Sequence, residues 1–308
     1  MVVSGTKIAS EIGTSRSEVW RLIQQLRSLG VDVAGHPANG YRLRAVPDLL
    51  LPEILDPLIQ GTLFRGRIFH YFKIGSTNSV AMEAAAGGTP EGSVLLAEEQ
   101  TQGRGRGTHS WHSARSEGIY CSVVLRPLLP PSDALLLSLA AALAVRAAVR
   151  TINPKISPDL KWPNDLLLNE KKFCGILTEM NAEVTRVRHI VVGIGINVNQ
   201  VSFPPGLREE AISLRQATGS EWSRVELAAA LLKSLHLEYR SLQENVQGRE
   251  SVVRRFQEYS SYAQGRDVRV EDDGGFEGVT AGLDARGFLQ VHTGGVLRTV
   301  LSGVVKAR

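Results

Sequence analysis

The chain has 308 residues and a formal net charge of +4, with 43% hydrophobic and 21% charged residues. This length and balance are typical of a globular protein of about two domains, and they exclude the fibrous and intrinsically disordered classes. Two cysteines, Cys121 and Cys174, are too few for a disulfide framework or a four-ligand zinc site, and they favour a reducing compartment. The expected location is therefore cytoplasmic. The longest apolar stretch, residues 134–149, is shorter than a membrane span needs, so no membrane role is predicted.

The positive charge is concentrated in the first 46 residues, which hold six lysines and arginines against three acidic residues. The remaining chain is close to neutral. Because phosphate contacts depend on the local density of Lys and Arg, this segment is where a polyanion would bind. A basic surface that is merely solvated is the alternative.

Residues 1–46 show the pattern of a winged helix-turn-helix. The first predicted helix covers 7–12 and ends before Gly13. The second begins with a Ser15/Glu18 capping box and ends at Gly30. Two strands, 31–33 and 41–43, follow and are joined by a turn over 37–40 that contains Asn-Gly, a sequence typical of hairpins. In this fold the second helix enters the major groove of DNA and the wing contacts the backbone. A small helical adaptor is the alternative.

The second helix presents the candidate DNA-binding residues Arg16, Ser17, Trp20 and Arg21 on its exposed face. The fold normally has another helix before the turn, whereas only five residues precede Thr6. We therefore expect that the first helix is missing, either because the start lies further upstream or because the module is truncated. Binding to DNA is then expected to be weakened, because a small core orients the helix less firmly.

The rest of the chain alternates predicted helices and strands up to about residue 265, and after that residue only short strands are predicted. Prolines at 47, 52 and 57 predict a linker over 47–62 with a short helix. The predicted strands are 68–73, 94–98, 119–125, 160–168, 172–180 and 190–198, and the predicted helices are 76–86, 133–149 with Ser132 as its cap, 223–242 and 251–262. Four short strands with glycine-rich turns predict a small antiparallel barrel over 265–308. A mixed domain over 63–264 lies before it.

A glycine-rich loop over 100–107 lies between two predicted strands. Its glycines let backbone N–H groups approach an anion, and Arg104 and Arg106 add positive charge, so the loop suits a phosphate. It lacks the Lys-Ser/Thr ending of a P-loop, and an ordinary loop is the alternative.

A second cluster is Lys161-Trp162-Pro163-Asn164-Asp165, followed by Lys172 and by Gly175. A hairpin with this spacing can place the Asp165 carboxylate and the Lys172 ammonium around one pocket, where they can handle a nucleotide triphosphate. A surface hairpin with a structural salt bridge is the alternative.

Two further features concern ligands. Asn197 and Asn199 lie on an apolar strand, where buried amides need hydrogen-bond partners and so indicate a ligand. His109 and His112 flank Trp111 without the spacing of metal ligands, so no protein metal site is predicted.

These motifs together resemble the biotin-protein ligases and, with residues 1–46, the bifunctional ligases that also repress the biotin operon. The resemblance covers essentially the whole chain. It is carried by Gly-Arg-Gly-Arg at 103–106, Lys-Trp-Pro-Asn-Asp at 161–165, Lys172 with Gly-Ile-Leu at 175–177, and Gly-Ile-Asn at 195–197. It implies an α+β protein in which a class II synthetase-like mixed sheet with flanking helices lies between a winged helix-turn-helix and an SH3-like β-barrel. The DNA partner that it implies is a biotin operator.

The resemblance also implies a two-step reaction. Biotin and ATP, the latter with Mg²⁺, give biotinyl-5'-AMP and pyrophosphate, and a lysine of a biotin carboxyl carrier protein then takes the biotinyl group. The implied biotin contacts are Ser76, Thr77, Asn78, Gln100, Arg104, Gly105, Arg106 and Lys172, and the implied nucleotide contacts are Arg104, Trp111, Asn164, Asp165 and Asn197. Lys172 and Arg106 are the expected catalytic residues, because attack of one anion on another requires cations.

The chain departs from the family pattern at two places. Residues 107–110 replace a further Arg-Gly-Arg in the loop, and Val304 stands where a glutamate usually follows the last glycine. Two other classes of function stay open: a biotin-sensing repressor without ligase activity, and a ligase with a vestigial DNA-binding module. Lipoate ligases share the catalytic fold, and a homodimer formed through edge strands is a further expectation.

Overall fold

The computed structural model of the chain describes residues 2–28, 31–36, 40–44, 48–271 and 275–307. They form two compact units, Met1–Leu49 and Leu50–Arg308.

The smaller unit contains two helices and a hairpin, in the predicted order. Its elements are α1 (Gly5–Glu11), α2 (Arg16–Ser28), β1 (Val33–His36) and β2 (Gly40–Leu43). Ser15 Oγ accepts a hydrogen bond from the Glu18 backbone N–H at 3.2 Å, but the Glu18 carboxylate accepts from Arg21 instead of reaching back to Ser15. The predicted capping box is therefore only half formed. Val19 and Ile23, on the apolar face of α2, are buried.

The first strand starts two residues later than predicted. Val31 N–H donates to Leu26 O at the end of α2, and Val33 N–H donates to Val31 O, so residues 31 and 32 form a tight connection rather than strand. The predicted helix end at Gly30 and most of the predicted turn, residues 37–39, lie outside the described residues.

The predicted linker, 47–62, contributes to the core of the larger unit. Leu50, Leu55 and Ile59 are fully buried there, and α3 (Pro52–Leu55) begins with a proline in its first turn. Apolar side chains at this spacing bury one face of the segment, so it packs against the larger unit from Leu50 onward.

The larger unit is built on a mixed seven-stranded sheet. Its strands are β3 (Ile68–Tyr71), β4 (Val94–Ala97), β5 (Gly118–Leu125), β6 (Asp159–Lys161), β7 (Asp165–Leu168), β8 (Lys171–Ala182) and β9 (Val187–Asn197). The spatial order is β3-β4-β5-β9-β8-β7-β6, with β3 and β4 parallel and all other neighbours antiparallel. Every residue of β5 is buried, so helices or loops cover both faces of the sheet centre.

Helices flank the sheet, and several differ from their predicted bounds. They are α4 (Thr77–Ala86), α5 (Leu135–Ile152), α6 (Leu214–Thr218), α7 (Arg224–Glu244) and α8 (Val246–Glu258). The α8 helix starts five residues before its predicted start because Asn245 caps it by accepting from Gly248 N–H at 2.8 Å. The α6 helix, which was not predicted, has a complete Ser213/Gln216 capping box.

Two further predictions are wrong in detail. Ser132 is not the cap of α5, since it lies within a 3₁₀ turn, Pro131–Asp133, and Ala134 precedes the helix. The strand predicted over 160–168 is interrupted by Trp162–Asn164, which divides it into β6 and β7.

The helical stretch Pro131–Ile152 is, within the described residues, long and apolar enough by length and composition to cross a membrane. The prediction that this region is too short is therefore wrong as to length. Its apolar character is accounted for by burial, since most side chains of α5 lie in the core, against α7, α8 and β8.

The C-terminal region forms a five-stranded antiparallel sheet. Its strands are β10 (Gln264–Glu271), β11 (Phe276–Leu283), β12 (Leu289–Thr293), β13 (Val296–Val300) and β14 (Val304–Ala307), in the order β13-β12-β11-β10-β14. The sequence does not predict β14. Trp162 Nε1 donates to Gly287 O at 2.9 Å and links this sheet to the β6–β7 connection. The predicted α+β class with three regions is confirmed.

Candidate active site

A cavity of about 590 Å³ lies in the larger unit. Its walls come from the first turn of α4, the loop over 100–112, the β7–β8 hairpin, β9 and β14. All twelve residues predicted to contact biotin or nucleotide line it: Ser76, Thr77, Asn78, Gln100, Arg104, Gly105, Arg106, Trp111, Asn164, Asp165, Lys172 and Asn197. The three sequence clusters therefore meet in one place.

One part of the cavity wall is a chain of uncharged hydrogen-bonding groups. The backbone N–H and hydroxyl of Thr77 donate to Gln100 Oε1 at 2.8 and 3.0 Å. Gln100 Nε2 donates to Ser113 Oγ at 2.9 Å. Ser122 Oγ lies 2.8 Å from both Thr77 Oγ1 and Asn78 Oδ1. Buried polar groups held this firmly are suited to recognising a small neutral ligand by hydrogen bonds.

The charged part of the cavity is the β7–β8 hairpin. Lys172 Nζ lies 2.6 Å from Asp165 Oδ1, and neither side chain is fully buried. The Lys172 backbone is fixed on both sides, because its N–H donates to Glu210 O and its carbonyl accepts from Ile212 N–H. A rigid backbone with a partly exposed ammonium suits a cation that meets an incoming anion.

Trp111 lies over two glycines. Gly175 and Gly195 are partners across β8 and β9, and a Cβ at Gly195 would lie 2.5 Å from the Trp111 ring. A Cβ at Gly175 would lie 2.9 Å from the same ring. Lys172 Nζ is 5.6 Å from the ring centroid. The Trp111 indole can therefore pack directly on the backbone of β8 and β9 because both residues beneath it are glycines.

The loop that carries the two arginines folds back on itself. Gly105 N–H donates to His109 O at 2.7 Å, and Trp111 N–H donates to Gly103 O at 2.8 Å. Arg106 donates to Gly303 O at 3.4 Å, just before β14. The C-terminal sheet therefore contacts the loop and borders the cavity.

The predicted asparagines are held mainly by protein groups. Asn164 Nδ2 donates to Ile176 O at 2.7 Å, and Asn197 Nδ2 donates to Ile212 O at 3.2 Å. Asn199 does not line the cavity, and its amide exchanges hydrogen bonds with the Trp222 backbone. The interpretation of Asn199 as a sign of a ligand is therefore wrong, since the protein itself satisfies this amide.

Among the described residues that line the cavity, Tyr120, Cys121 and Lys161 have a shifted pKa, and burial raises the pKa of the Tyr120 hydroxyl. Burial lowers the pKa of Lys161. Burial raises the pKa of the Cys121 thiol to about 12, so this cysteine is a neutral thiol at physiological pH and a poor nucleophile. Among the residues that the structure describes, no group of three or more His, Cys, Asp or Glu side chains could hold a metal ion.

The predicted DNA-binding residues lie on α2 of the smaller unit. Arg16 and Ser17 are exposed, and the Trp20 side chain is 59% exposed. Arg21 is paired with Glu18 one turn earlier on the same helix. Arg16, Ser17 and Trp20 therefore lie on the solvent-accessible face of α2.

Comparisons with known proteins agree along the whole chain. Residues 73–197 match the Biotin/lipoate A/B protein ligase family, residues 1–42 match the HTH domain family, and residues 264–306 match the Biotin protein ligase C terminal domain family. A curated relative, "Bifunctional ligase/repressor BirA" of Bacillus spizizenii, is 36% identical over 307 residues, which is 99% of this chain and 93% of that protein. The chain belongs to the biotin protein ligase family.

Two other members of the biotin protein ligase family support the assignment. The "Biotin--[acetyl-CoA-carboxylase] ligase" of Mycobacterium tuberculosis is 34% identical and covers 75% of this chain and 85% of that protein. The solved structure of the biotin protein ligase from Aquifex aeolicus in complex with biotin and ATP superposes with a TM-score of 0.68 at 29% identity, over 79% of this chain and 99% of that chain.

Several residues in or beside the cavity were not predicted. Ser122 and Cys121 lie on β5, whose apolar pattern hides their role, and Ser113 lies in an irregular segment behind Gln100. Glu179 lies two residues beyond the Gly-Ile-Leu motif, and it forms an ion pair with Arg104 at 2.8 Å. A polar residue within a strand that is otherwise apolar, such as Ser122, is the signal that could have revealed this group.

Proposed function

We propose that this biotin protein ligase activates biotin with ATP and transfers it to a lysine of a biotin carboxyl carrier protein. One observation carries the proposal: a single cavity holds both an uncharged hydrogen-bonding network and two cations, Lys172 and Arg106. The network suits the neutral ureido ring of biotin, and the cations suit its carboxylate and the phosphates of ATP.

In the first step a carboxylate oxygen of biotin attacks the α-phosphorus of ATP, and pyrophosphate leaves. Both reactants are anions, so cations that lie where the new bond forms lower the barrier. Lys172 and Arg106 supply this charge, and Asp165 holds the Lys172 ammonium at the cavity wall at 2.6 Å. The cavity aligns the two reactants, so no covalent enzyme intermediate is needed.

The proposed contacts divide between the two substrates. Biotin lies against Ser76, Thr77, Asn78 and Gln100, with the loop residues Arg104, Gly105 and Arg106 closing over it. The nucleotide lies against Arg104, Trp111, Asn164, Asp165 and Asn197. Mg²⁺ carried by ATP would neutralise charge on the departing pyrophosphate, and the Asp165 carboxylate is the kind of oxygen ligand that this ion takes.

In the second step the ε-amine of a carrier lysine attacks the acyl carbon, and AMP leaves. The relatives named for acetyl-CoA-carboxylase support a carboxylase subunit as the acceptor. Two buried thiols are compatible with the cytoplasm as the place of this reaction.

The first step is tested by incubating the protein with biotin and ATP and measuring biotinyl-5'-AMP by chromatography. The proposal expects the adenylate only when both substrates are present, and none when lipoate replaces biotin. Preferential adenylation of lipoate would contradict it, because lipoate lacks the ureido N–H groups that the network suits.

We propose a second function, repression of biotin genes, because residues 1–42 match an HTH domain and α2 exposes Arg16, Ser17 and Trp20. The test is fluorescence anisotropy with DNA from upstream of the biotin genes of the source organism. Sequence-specific binding that strengthens with biotin and ATP, accompanied by self-association into a homodimer, supports this function. Binding that is equal for all sequences supports a ligase with a vestigial module. Regulated binding without carrier modification supports a pure sensor.

A further inference from the structure

Glu179 lies behind the cavity wall and contacts two of the residues that form it. It is on β8 and its side chain is 24% exposed. One carboxylate oxygen, Oε1, lies 2.8 Å from Arg104 Nη2. The other, Oε2, accepts from Asn78 Nδ2 at 2.8 Å and from Arg104 Nη1 at 3.1 Å. A single carboxylate therefore ties the first turn of α4 to the arginine loop.

The carboxylate decides which way the Asn78 amide points. A carboxylate only accepts hydrogen bonds, so the amide must direct its NH₂ group at Glu179 and its oxygen away from it. Asn78 Oδ1 consequently lies 2.8 Å from Ser122 Oγ. It also lies against the backbone of Gly193, where a Cβ would come within 2.2 Å of it. The close packing leaves little room for another orientation.

Ser122 links the orientation of the Asn78 amide to the hydrogen-bonding groups of the cavity. The Thr77 hydroxyl donates to Gln100, so Thr77 Oγ1 and Asn78 Oδ1 both face Ser122 as acceptors. Ser122 has one hydroxyl hydrogen and gives it to one of these two oxygens. Its lone pairs are then directed to accept from an N–H group of a ligand, and Ser122 lines the cavity.

We propose that Glu179 is a positioning residue for biotin: through Asn78 it makes Ser122 a hydrogen-bond acceptor for the ureido N–H, and through Arg104 it holds the loop closed. This inference rests on the proposed function. It concerns substrate binding, of biotin above all, and not the two catalytic cations, because the contacts of Glu179 described above are with Asn78 and Arg104 and not with Lys172 or Arg106.

The Glu179→Gln variant separates the two contacts with almost no change in the volume of the side chain. An amide has a single acceptor oxygen, so in either orientation the NH₂ group of the new glutamine faces a donor. That donor is Arg104 Nη2 when the oxygen takes the place of Oε2, and Asn78 Nδ2 when the oxygen takes the place of Oε1. We expect the dissociation constant for biotin, measured by calorimetry, to rise at least tenfold, a change of about 1.4 kcal/mol. The KM for ATP in adenylate formation should rise by a smaller factor than the dissociation constant for biotin, because Arg104 is the only nucleotide contact among the partners of Glu179 described above.

The double variant Asn78→Asp/Glu179→Gln provides the rescue. In it the oxygen of the new glutamine accepts from Arg104, and its NH₂ group donates to the new aspartate, whose other oxygen accepts from Ser122. We expect biotin affinity within about threefold of the unmodified protein. Asn78→Asp alone places two carboxylates in contact and should weaken biotin binding more than Glu179→Gln does. Glu183→Gln, at an exposed ion pair with Arg188 just beyond β8, is the matched control and should bind biotin normally.

The outcomes are distinguishable. A merely structural role would lower the thermal midpoint of Glu179→Gln and leave biotin affinity unchanged, and that result would overturn the inference. So would a double variant that binds biotin no better than Glu179→Gln. An unmodified protein that binds biotin but forms no biotinyl-5'-AMP would overturn the proposed function and leave the inference about Glu179 standing.

Discussion

Glu98 forms a buried ion pair with Arg224 in the larger unit, and replacing Glu98 by glutamine tests how much this pair stabilises the fold. Glu98 directly follows β4 and is fully buried, and its Oε2 lies 2.7 Å from Nη1 of Arg224, which is also buried. Its Oε1 accepts from the Leu50 backbone N–H at 2.9 Å and lies 3.1 Å from His70 Nε2. Glu98→Gln keeps the volume and removes the charge.

Two independent arguments give the magnitude. Burial alone would raise the pKa of Glu98, but the His70 hydrogen bond, the Arg224 charge and the Leu50 N–H together lower it from 4.5 to about 2. That difference corresponds to about 3 kcal/mol of stability contributed by the charged form. Removing one partner of a buried ion pair typically costs about 3–5 kcal/mol, because the other charge is left without compensation. We therefore expect Glu98→Gln to destabilise the protein by about 3 kcal/mol at pH 7.

The sign of the pH dependence follows from the lowered pKa. The stabilisation is fully present above the unfolded-state value of about 4.5, and it is lost as the pH falls from there towards about 2. Urea denaturation of the full chain, followed by circular dichroism, measures the unmodified protein and the Glu98→Gln variant at pH 7 and at about pH 3. The difference between their free energies of unfolding should shrink at the lower pH.

Glu99→Gln is the matched control, since Glu99 pairs with the exposed Lys73 at 2.6 Å. It should change the free energy of unfolding by no more than about 1 kcal/mol. A difference below about 1 kcal/mol for Glu98→Gln at pH 7, or one that does not vary with pH, would mean that the charged Glu98 does not stabilise the fold.

Three further predictions concern the cavity. Lys172→Ala should lower biotin-dependent pyrophosphate exchange about 100-fold or more while the thermal midpoint stays nearly unchanged, because it removes transition-state charge and not packing. Arg106→Gly should let the adenylate escape, so that bystander proteins in the assay become biotinylated, as read by an avidin blot. Gly195→Ala should displace the Trp111 ring, which lies 2.5 Å from the new Cβ, and raise the KM for ATP with little change in biotin affinity.

Each of these has a matched control within the chain. Lys171→Ala removes the neighbouring lysine, which contacts Arg208 O at 3.2 Å, and should leave the exchange intact. Arg106→Lys retains the charge and should leak less adenylate than Arg106→Gly. Gly206→Ala adds a Cβ with nothing within 4 Å and should not change the KM for ATP. Near-normal pyrophosphate exchange in a folded Lys172→Ala variant would contradict the catalytic role of Lys172. Bystander proteins that stay unbiotinylated with Arg106→Gly would contradict the role of Arg106 in retaining the adenylate. An unaltered KM for ATP in Gly195→Ala would contradict the role of Trp111 in nucleotide binding.

Local patterns predicted those parts of the fold that depend on neighbouring residues. Asp165 and Lys172 share one hairpin, so turn signals and strand length were enough to place them together. Ser76 was placed at the start of a helix by its position before an apolar run, and it is the N-cap of α4. The interruption at Trp162–Asn164 was missed because apolar residues on both sides continue the strand pattern.

Contacts between distant segments could not be predicted in the same way. Glu98 and Arg224 are 126 residues apart, and Asn78 and Glu179 are 101 residues apart. Their pairing follows from the order of strands in the sheet, which a single sequence does not reveal. The strand β14 is only four residues long and follows a glycine, so its pattern is too short to predict. Its position next to the Arg106 loop is shown by the hydrogen bond from Arg106 to Gly303 O, which joins residues 197 positions apart in the chain.

Biotin transfer to a carrier protein is measured by mass spectrometry of a purified biotin carrier domain. The domain is incubated with this protein, biotin and ATP, and its intact mass is compared with that in reactions lacking one component. We expect the carrier domain to gain one biotinyl group, located on a lysine, only when biotin and ATP are both present, and not when Lys172→Ala replaces the unmodified protein. An unchanged carrier mass, although the unmodified protein is folded and binds biotin, would contradict the proposed biotin transfer.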